Sequence, residues 1–258
     1  MKSVLGKFAA ATAGAACLLT VGSVAGAHGV WFAERAVGTS AAGHTQTGFA
    51  IVFGDGSEES DPLKRQKLIS AVTGYDSDYR PIPAAVEAAG PMLLFKSDKP
   101  ASVETVAVDY GTWSKAPDGE WYNRGKDEMP NAKTSEHNYK YAVHLSGPLA
   151  KPLPLFPDQV IQIVPIGPIP QQMGKPLKVK VFFKGKPLAG ALVQPDEPTD
   201  PDDVGQKTGP DGTTTIHVRN QGLNVVVSTF NAPSDHPNKY DQMEYKATLS
   251  FVLPHAPE

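Results

Sequence analysis

The stretch Leu177–Phe183 is Leu-Lys-Val-Lys-Val-Phe-Phe, and the turn residues Gly185-Lys186-Pro187 follow it directly. Because side chains alternate along a β-strand, four apolar side chains share one face: Leu177, Val179, Val181 and Phe183. Two lysines lie on the opposite face. This pattern predicts a strand with one face in a core and the other mostly in water.

The rest of the second half of the chain repeats this kind of pattern at short intervals. Five further strands are predicted, at Val160–Pro165, Ala191–Gln194, Thr214–Val218, Leu223–Ser228 and Tyr245–Leu253. A second turn, Pro210-Asp211-Gly212, separates two of them. Six short strands with Gly and Pro turns predict a small immunoglobulin- or transthyretin-like β-sandwich over residues 158–254.

The first half is less regular but is also rich in strand patterns. Strands are predicted at Val30–Ala36, Gly48–Phe53, Pro91–Lys96, Val103–Tyr110 and Asn138–Leu145, and short helices at Leu63–Val72 and Ala84–Ala89. The Pro-rich residues 149–157 are typical of an extended linker. We therefore expect an all-β protein of two β-sandwich domains, with an N-terminal β-rich domain over residues 28–148.

The first 27 residues have the pattern of a secretory signal peptide. Lys2 and Lys7 precede the apolar run Phe8–Val21, and Ala25-Gly26-Ala27 fits the small-x-small cleavage site. The apolar run is too short for a comfortable membrane span. We expect cleavage after Ala27, a periplasmic location and a mature chain without cysteine, because the single cysteine, Cys17, lies in the leader.

The charge of the mature chain excludes some partners. Without the two leader lysines, 22 basic residues stand against 27 acidic ones, a net charge of −5. Proteins that bind nucleic acid or anionic membrane surfaces usually carry basic patches. We therefore expect no nucleic-acid partner.

Cleavage after Ala27 would make His28 the first residue. A free α-amine and the ring Nδ1 of the same histidine can chelate one metal ion, and one further imidazole would complete a histidine brace, which Cu(II) and Ni(II) favour. The candidate further ligands are His44, His137 and His236. The alternative is that His28 is simply the residue after the cut.

The other polar candidates have plainer interpretations. His137 shares a strand face with Tyr139 and Tyr141, where a histidine is usually hydrogen-bonded in a core but can also be a ligand. His144 and His217 are predicted to be solvated. Five carboxylates in residues 196–203, Asp196, Glu197, Asp200, Asp202 and Asp203, predict a solvated acidic loop, with weak cation binding as the alternative.

Catalysis has little support in the sequence. Gly-x-Ser-x-Gly and phosphate-cradling glycine motifs are absent, as is a catalytic cysteine, so we expect a protein that is not an enzyme. The aromatic residues Tyr110, Trp113, Trp121 and Tyr122 could stack on a sugar. They surround the turn Pro117-Asp118-Gly119, a position more typical of hairpin packing.

The sequence resembles a family of periplasmic proteins commonly labelled as components of cobalt or nickel uptake systems. The resemblance rests on the opening His28-Gly29-Val30-Trp31, on Trp113–Trp121 and Lys140-Tyr141-Ala142, and on several stretches of the second half, such as Gly185–Ala191 and Tyr245–Phe251. Only His28 and Trp31 carry over as motif positions of the family. Relatives often carry a His-rich loop where this chain has its acidic loop.

The resemblance implies a periplasmic binding protein for nickel or cobalt, accessory to metal uptake. The histidine brace adds copper as a further candidate ion. Its partner would be a membrane transporter or an outer-membrane receptor. The alternative function is a metal-independent β-sandwich adaptor that binds a membrane receptor or carbohydrate. A third, less favoured function is a copper oxidase or oxygenase that uses the histidine brace.

Overall fold

The computed structural model describes residues 29–39, 41, 43–55 and 58–254. The predicted leader and His28 lie outside these residues. The strands are Gly29–Thr39 (β1), Thr45–Asp55 (β2), Glu58–Glu59 (β3), Ile69–Tyr75 (β4), Pro81–Ala89 (β5), Met92–Ser97 (β6), Val103–Lys115 (β7), Trp121–Tyr122 (β8), Thr134–Leu145 (β9), Ile161–Pro165 (β10), Pro176–Phe183 (β11), Lys186–Pro187 (β12), Leu192–Gln194 (β13), Gln206–Lys207 (β14), Thr213–His217 (β15), Gly222–Pro233 (β16) and Gln242–Leu253 (β17). The described part of the chain is therefore nearly all β, as the sequence predicts.

The strands form three layers. The central sheet has the order β4-β7-β9-β17-β16-β13-β14, with β8 paired to the end of β7. The first outer sheet contains β1, β2, β3, β5 and β6, and the second outer sheet contains β10, β11, β12 and β15. Long antiparallel strands with apolar faces need cover on each such face, and the two outer sheets supply it.

The first outer sheet is continuous with the central sheet through β5. Residues Pro81–Pro83 of β5 pair with β4, and Ala84–Ala89 pair with β6. The chain thereby folds the first outer sheet over one face of the central sheet, where Phe32, Phe53 and Val106 pack in one apolar cluster. The hydroxyl of Thr248 in β17 also donates to the carbonyl oxygen of Val30 in β1, at 2.7 Å.

The second outer sheet covers the opposite face of the central sheet. Ile163, Val179 and Val181 pack there against Leu249 and Phe251 of β17, and all five are almost completely buried. The alternation in Leu177–Phe183 thus has the predicted result, because its apolar face is core and its lysines face outward.

One parallel strand pair joins the two halves of the chain. β17 pairs with β9 through ten residue pairs, from Gln242↔Glu136 to Phe251↔Leu145. The central sheet therefore combines strands from residues 28–148 with strands from residues 158–254. The division into two domains and the linker at 149–157 stays a prediction.

The predicted helix at Ala84–Ala89 is wrong, because this segment belongs to β5. An Ala-rich run has a high helix propensity, but six cross-strand pairs to β6 override it. The predicted helix at Leu63–Val72 is correct only at its start, since a 3-10 helix spans Leu63–Leu68 and β4 begins at Ile69. No helix within the described residues is both long and apolar enough to cross a lipid bilayer.

Candidate functional site

The face of the central sheet under the first outer sheet carries buried ionisable side chains. In β9 they alternate with aromatic residues, and the parallel register sets Lys140 beside Lys246 and Asn138 beside Glu244. We call the five charged residues that meet here the buried charge cluster: Glu136, Lys140, Glu197, Glu244 and Lys246. Each has less than a tenth of its surface exposed. Charges buried this deeply must be paired to be tolerated.

Lys140 and Glu244 form the central pair of this cluster. The ammonium Nζ of Lys140 donates to Oε1 of Glu244 at 2.5 Å, and Lys140 has no exposed surface. The Nζ atom also lies 5.9 Å from the centre of the Tyr110 ring. Burial lowers the pKa of Lys140, and the attraction of Glu244 opposes this shift. Burial also raises the pKa of Glu136, and repulsion by Glu244 adds to the effect.

Lys246 and Glu197 form the second pair, and it lies at the beginning of β1. Glu197 follows β13, and its backbone N–H donates to the carbonyl of Val225 at 3.0 Å. Its carboxylate accepts a hydrogen bond from Lys246. A Cβ atom at Gly29 would lie 3.2 Å from Oε1 of Glu197. The carboxylate therefore contacts the residue that directly follows position 28.

The acidic loop is less solvated than the sequence predicts. Asp196 and Glu197 are buried, so the prediction is wrong for these two residues. Asp196 accepts from the side-chain amide of Asn220 at 2.9 Å. Asp200 and Asp203 both pair with Arg219. Arg219 is thus the cation partner of both Asp200 and Asp203. Asp202 is exposed, as expected.

The prediction of a solvated His144 is also wrong. His144 is 1% exposed, its Nδ1 shares a hydrogen bond of 2.8 Å with the hydroxyl of Ser250, and its ring lies 5.1 Å from that of Phe49. Burial lowers the pKa of His144 to about 4. Directly across the strand pair, burial raises the pKa of Glu104 to about 7, although Ser146 donates to its carboxylate. His217 is exposed, as predicted.

His137 lies on the opposite face of β9 and is hydrogen-bonded at both ring nitrogens. Nε2 contacts Oδ1 of Asp109 at 2.7 Å, and Nδ1 contacts the hydroxyl of Thr112 at 2.9 Å. A β-bulge between Asp109 and Gly111 makes this possible. Residues three apart normally point to opposite faces of a strand, and the extra residue in β7 brings Asp109 and Thr112 to the same face.

The candidate histidines fall in two separate places: His236 lies near His137, with Tyr240 in contact with both, and His44 lies apart from Gly29. His236 is exposed, and its ring and that of His137 both contact the ring of Tyr240, at 6.0 and 5.2 Å. His44 directly precedes β2, whereas Gly29 pairs with Gly54 at the other end of the hairpin, about 30 Å away by strand rise. In the described part of the chain, no group of three or more His, Cys, Asp or Glu side chains could hold a metal ion.

The aromatic residues around Pro117-Asp118-Gly119 form a hairpin. β8 pairs with the end of β7, Ser114↔Tyr122 and Lys115↔Trp121. The Tyr110 and Trp113 rings stack at 5.8 Å, and the indole N–H of Trp113 donates to the carbonyl of Tyr110. The aromatic residues therefore pack in and beside a hairpin, which is the arrangement that the turn Pro117-Asp118-Gly119 favours.

Layered sheets with an ionisable layer between them define an all-β protein with a polar interior. Residues 25–231 match the family described as Domain of unknown function (DUF4198), and the chain belongs to this family. A similar protein is an uncharacterized protein of Haemophilus influenzae (strain ATCC 51907 / DSM 11121 / KW20 / Rd). It is 26% identical over 235 residues, which cover 89% of this chain and 92% of that protein. No solved structure matches the chain.

Proposed function

We propose that this protein is a periplasmic accessory protein that binds a divalent transition metal ion, nickel or cobalt, at the N-terminus of its mature chain. The observation that carries the proposal is the position of the Glu197 carboxylate directly beside Gly29. It supports a site in which the amine and ring of His28 supply two nitrogen donors and Glu197 supplies an oxygen donor. Nickel and cobalt accept mixed nitrogen and oxygen ligands.

The buried charge cluster supports Glu197 in this role. Lys246 donates a hydrogen bond to the Glu197 carboxylate and so holds it in place beside Gly29. In this proposal Glu197 takes the place that the sequence gives to His44, His137 or His236 as the further ligand beside His28.

The proposal also includes a location for the protein, a role for its second half and a partner. The leader of residues 1–27 would deliver the chain to the periplasm, and residues 158–254 would act as an immunoglobulin- or transthyretin-like unit. The partner would be a membrane transporter or an outer-membrane receptor. The metal ion is cargo, and the protein's task is to bind and transfer it without chemical change.

Calorimetric titration of the mature protein with Ni²⁺, Co²⁺ and Cu²⁺ tests the proposal. We expect His28→Ala and a variant with one extra residue before His28 each to weaken binding by tenfold or more, since each removes a nitrogen donor. Glu197→Gln should weaken it less. The matched control is His217→Ala, which removes an exposed histidine from the second outer sheet. Unchanged affinity in His28→Ala would rule out the N-terminal site.

A further inference from the structure

A surface pocket of about 500 Å³ lies beside the bulge of β7, on the face of β9 away from the buried charge cluster. Its walls come from the beginning of β4, from the bulge, from the loop after β8 and from the segment before β17. Pockets of this volume are in the range that binds small molecules in proteins. The size alone does not define a ligand, but the charges around it do.

Three cationic side chains from three separate segments line this pocket: Lys67, Arg124 and Lys239. Among the described residues, none of the three has a carboxylate within ion-pair distance. Two carboxylates, Asp109 and Glu128, also line the pocket, and Asp109 accepts from the backbone N–H of Gly111 and contacts the His137 ring. With three cations against two carboxylates, the lining carries an excess of one positive charge.

The polar floor of the pocket is held in place by hydrogen bonds. The hydroxyl of Thr112 contacts Nδ1 of His137, and the side-chain amide of Asn123 donates to the carbonyl of Thr112 at 2.9 Å. This second bond ties the loop after β8 to the bulge. Groups that are fixed before a ligand arrives lose little entropy on binding.

The cationic wall is also supported by packing. A Cβ atom at Gly125 would lie 2.7 Å from Cγ of Lys239, so the lysine stem lies directly on the glycine. Lys126 pairs with Asp241, which joins the same loop to the segment before β17. Arg124 and Lys239 are thus carried by two segments whose separation is fixed.

We propose that this pocket binds a small ligand through an oxyanion, a carboxylate or a phosphate group. The arginine fork of Arg124 matches the two oxygens of such a group, and the lysines add charge without a fixed geometry. Thr112, which His137 holds in place, supplies a polar contact at the floor. Because His137 and Gly29 lie on opposite faces of the central sheet, this site is separate from the proposed metal site.

Calorimetric titration of the mature, metal-free protein with succinate and with inorganic phosphate tests the inference, with glucose as an uncharged probe. We expect at least one anion to bind and glucose not to bind. Arg124→Gln and Lys239→Gln should each weaken anion binding by about tenfold, the loss typical of one charge-assisted hydrogen bond. The matched control is Lys186→Gln, an exposed lysine of the second outer sheet.

The outcomes distinguish a carboxylate ligand from a phosphate ligand. They also distinguish failure of the anion pocket from failure of the metal site. Binding of succinate alone assigns a carboxylate ligand, and binding of phosphate alone assigns a phosphate ligand. If neither anion binds, or if Lys186→Gln weakens binding as much as Arg124→Gln does, the inference is wrong. His28→Ala should leave anion binding unchanged, so failure of the metal proposal would not affect this result. Thermal unfolding of each variant checks that the fold is intact.

Discussion

Both faces of the central sheet are buried, but along β9 and β17 they differ in chemistry. Toward the second outer sheet, Tyr141, Val143 and Leu249 pack in an apolar core. Toward the first outer sheet, Lys140 and Glu244 lie in a layer of ionisable groups. An apolar face tolerates the loss of one side chain at the cost of a cavity, whereas a buried charge cannot lose its partner without being left uncompensated. Burial alone therefore does not predict which face is sensitive to pH and to single substitutions.

The largest expected effect comes from breaking the central ion pair. Lys140→Met leaves the Glu244 carboxylate buried without its cation, so the free energy of unfolding should fall by about 3–5 kcal/mol. Urea unfolding followed by tryptophan fluorescence measures the change. The double variant Lys140→Met with Glu244→Met should recover most of the loss, since no unpaired charge then remains at this pair.

Leu249→Ala is the comparison on the apolar face. It should cost about 2–5 kcal/mol because it creates a cavity in the core. This cost should be the same at about pH 5 and about pH 8, because nearby groups in the core do not titrate. A strong pH dependence for Leu249→Ala, or a loss below about 1 kcal/mol for Lys140→Met, would contradict the contrast between the faces.

Glu104 should make the folded protein less stable as the pH rises. Its pKa is raised to about 7 in the folded chain, from an ordinary value of 4.5. The folded state therefore prefers the protonated carboxyl, and this stability is present below about pH 4.5 and lost as the pH rises through about 7. Glu104→Gln mimics the protonated form and should raise the free energy of unfolding by about 3 kcal/mol at about pH 8. Urea unfolding at several pH values measures this, with the exposed Glu87→Gln as a control that should show no such gain.

His144 should act in the opposite direction. Its pKa falls to about 4 in the folded chain from 6.5, so the folded state prefers the neutral ring. The resulting stability is present above about pH 6.5 and is lost as the pH falls through about 4. His144→Gln cannot take up this proton and keeps a partner for Ser250. Between pH 6.5 and 4, the free energy of unfolding of the variant should fall by about 2–3 kcal/mol less than that of the unchanged protein. Acid unfolding followed by circular dichroism measures the difference, and equal acid sensitivity of the two proteins would contradict the prediction.

The smallest effect is expected outside the layers, at the acidic loop. Arg219 is partly exposed, as are Asp200 and Asp203, so solvent screens both pairs. Arg219→Gln should change the free energy of unfolding by less than about 1 kcal/mol, and the change should shrink further in high salt. Urea unfolding at low and high ionic strength provides the measurement. If Arg219→Gln lowered the free energy of unfolding as much as Lys140→Met does, the ion pairs of the acidic loop would be as important for stability as the buried pair.

The strands of the second half could be predicted because their own residues carry the signal. Leu177–Phe183 alternates strictly, and its turns contain Gly and Pro at the required places. The Ala84–Ala89 strand could not be predicted in this way. Small alanine side chains give little alternation, and the pairing with β6 that decides the structure is a tertiary contact.

The sites were harder to predict because their partners are distant in sequence. His144 and Ser250 are 106 residues apart, and Glu197 and Lys246 are 49 apart. A polar residue that alternates with apolar ones normally indicates a wet strand face, and here that face is buried under another sheet. The pair of Asp109 and Thr112 around His137 depends on a bulge, which shifts the alternation without a signal in the residues before it.

The parallel pair of β9 and β17 also determines when the protein can fold. β17 contains the last strand residues of the described chain, yet it lies between β9 and β16 in the middle of the central sheet. Contacts between segments this far apart in sequence form slowly, because a long loop must close before they gain free energy. Strand β17 must therefore be synthesised before the central layer can assemble. Until then, one edge of β9 lacks its partner strand and Lys140 lacks the carboxylate of Glu244.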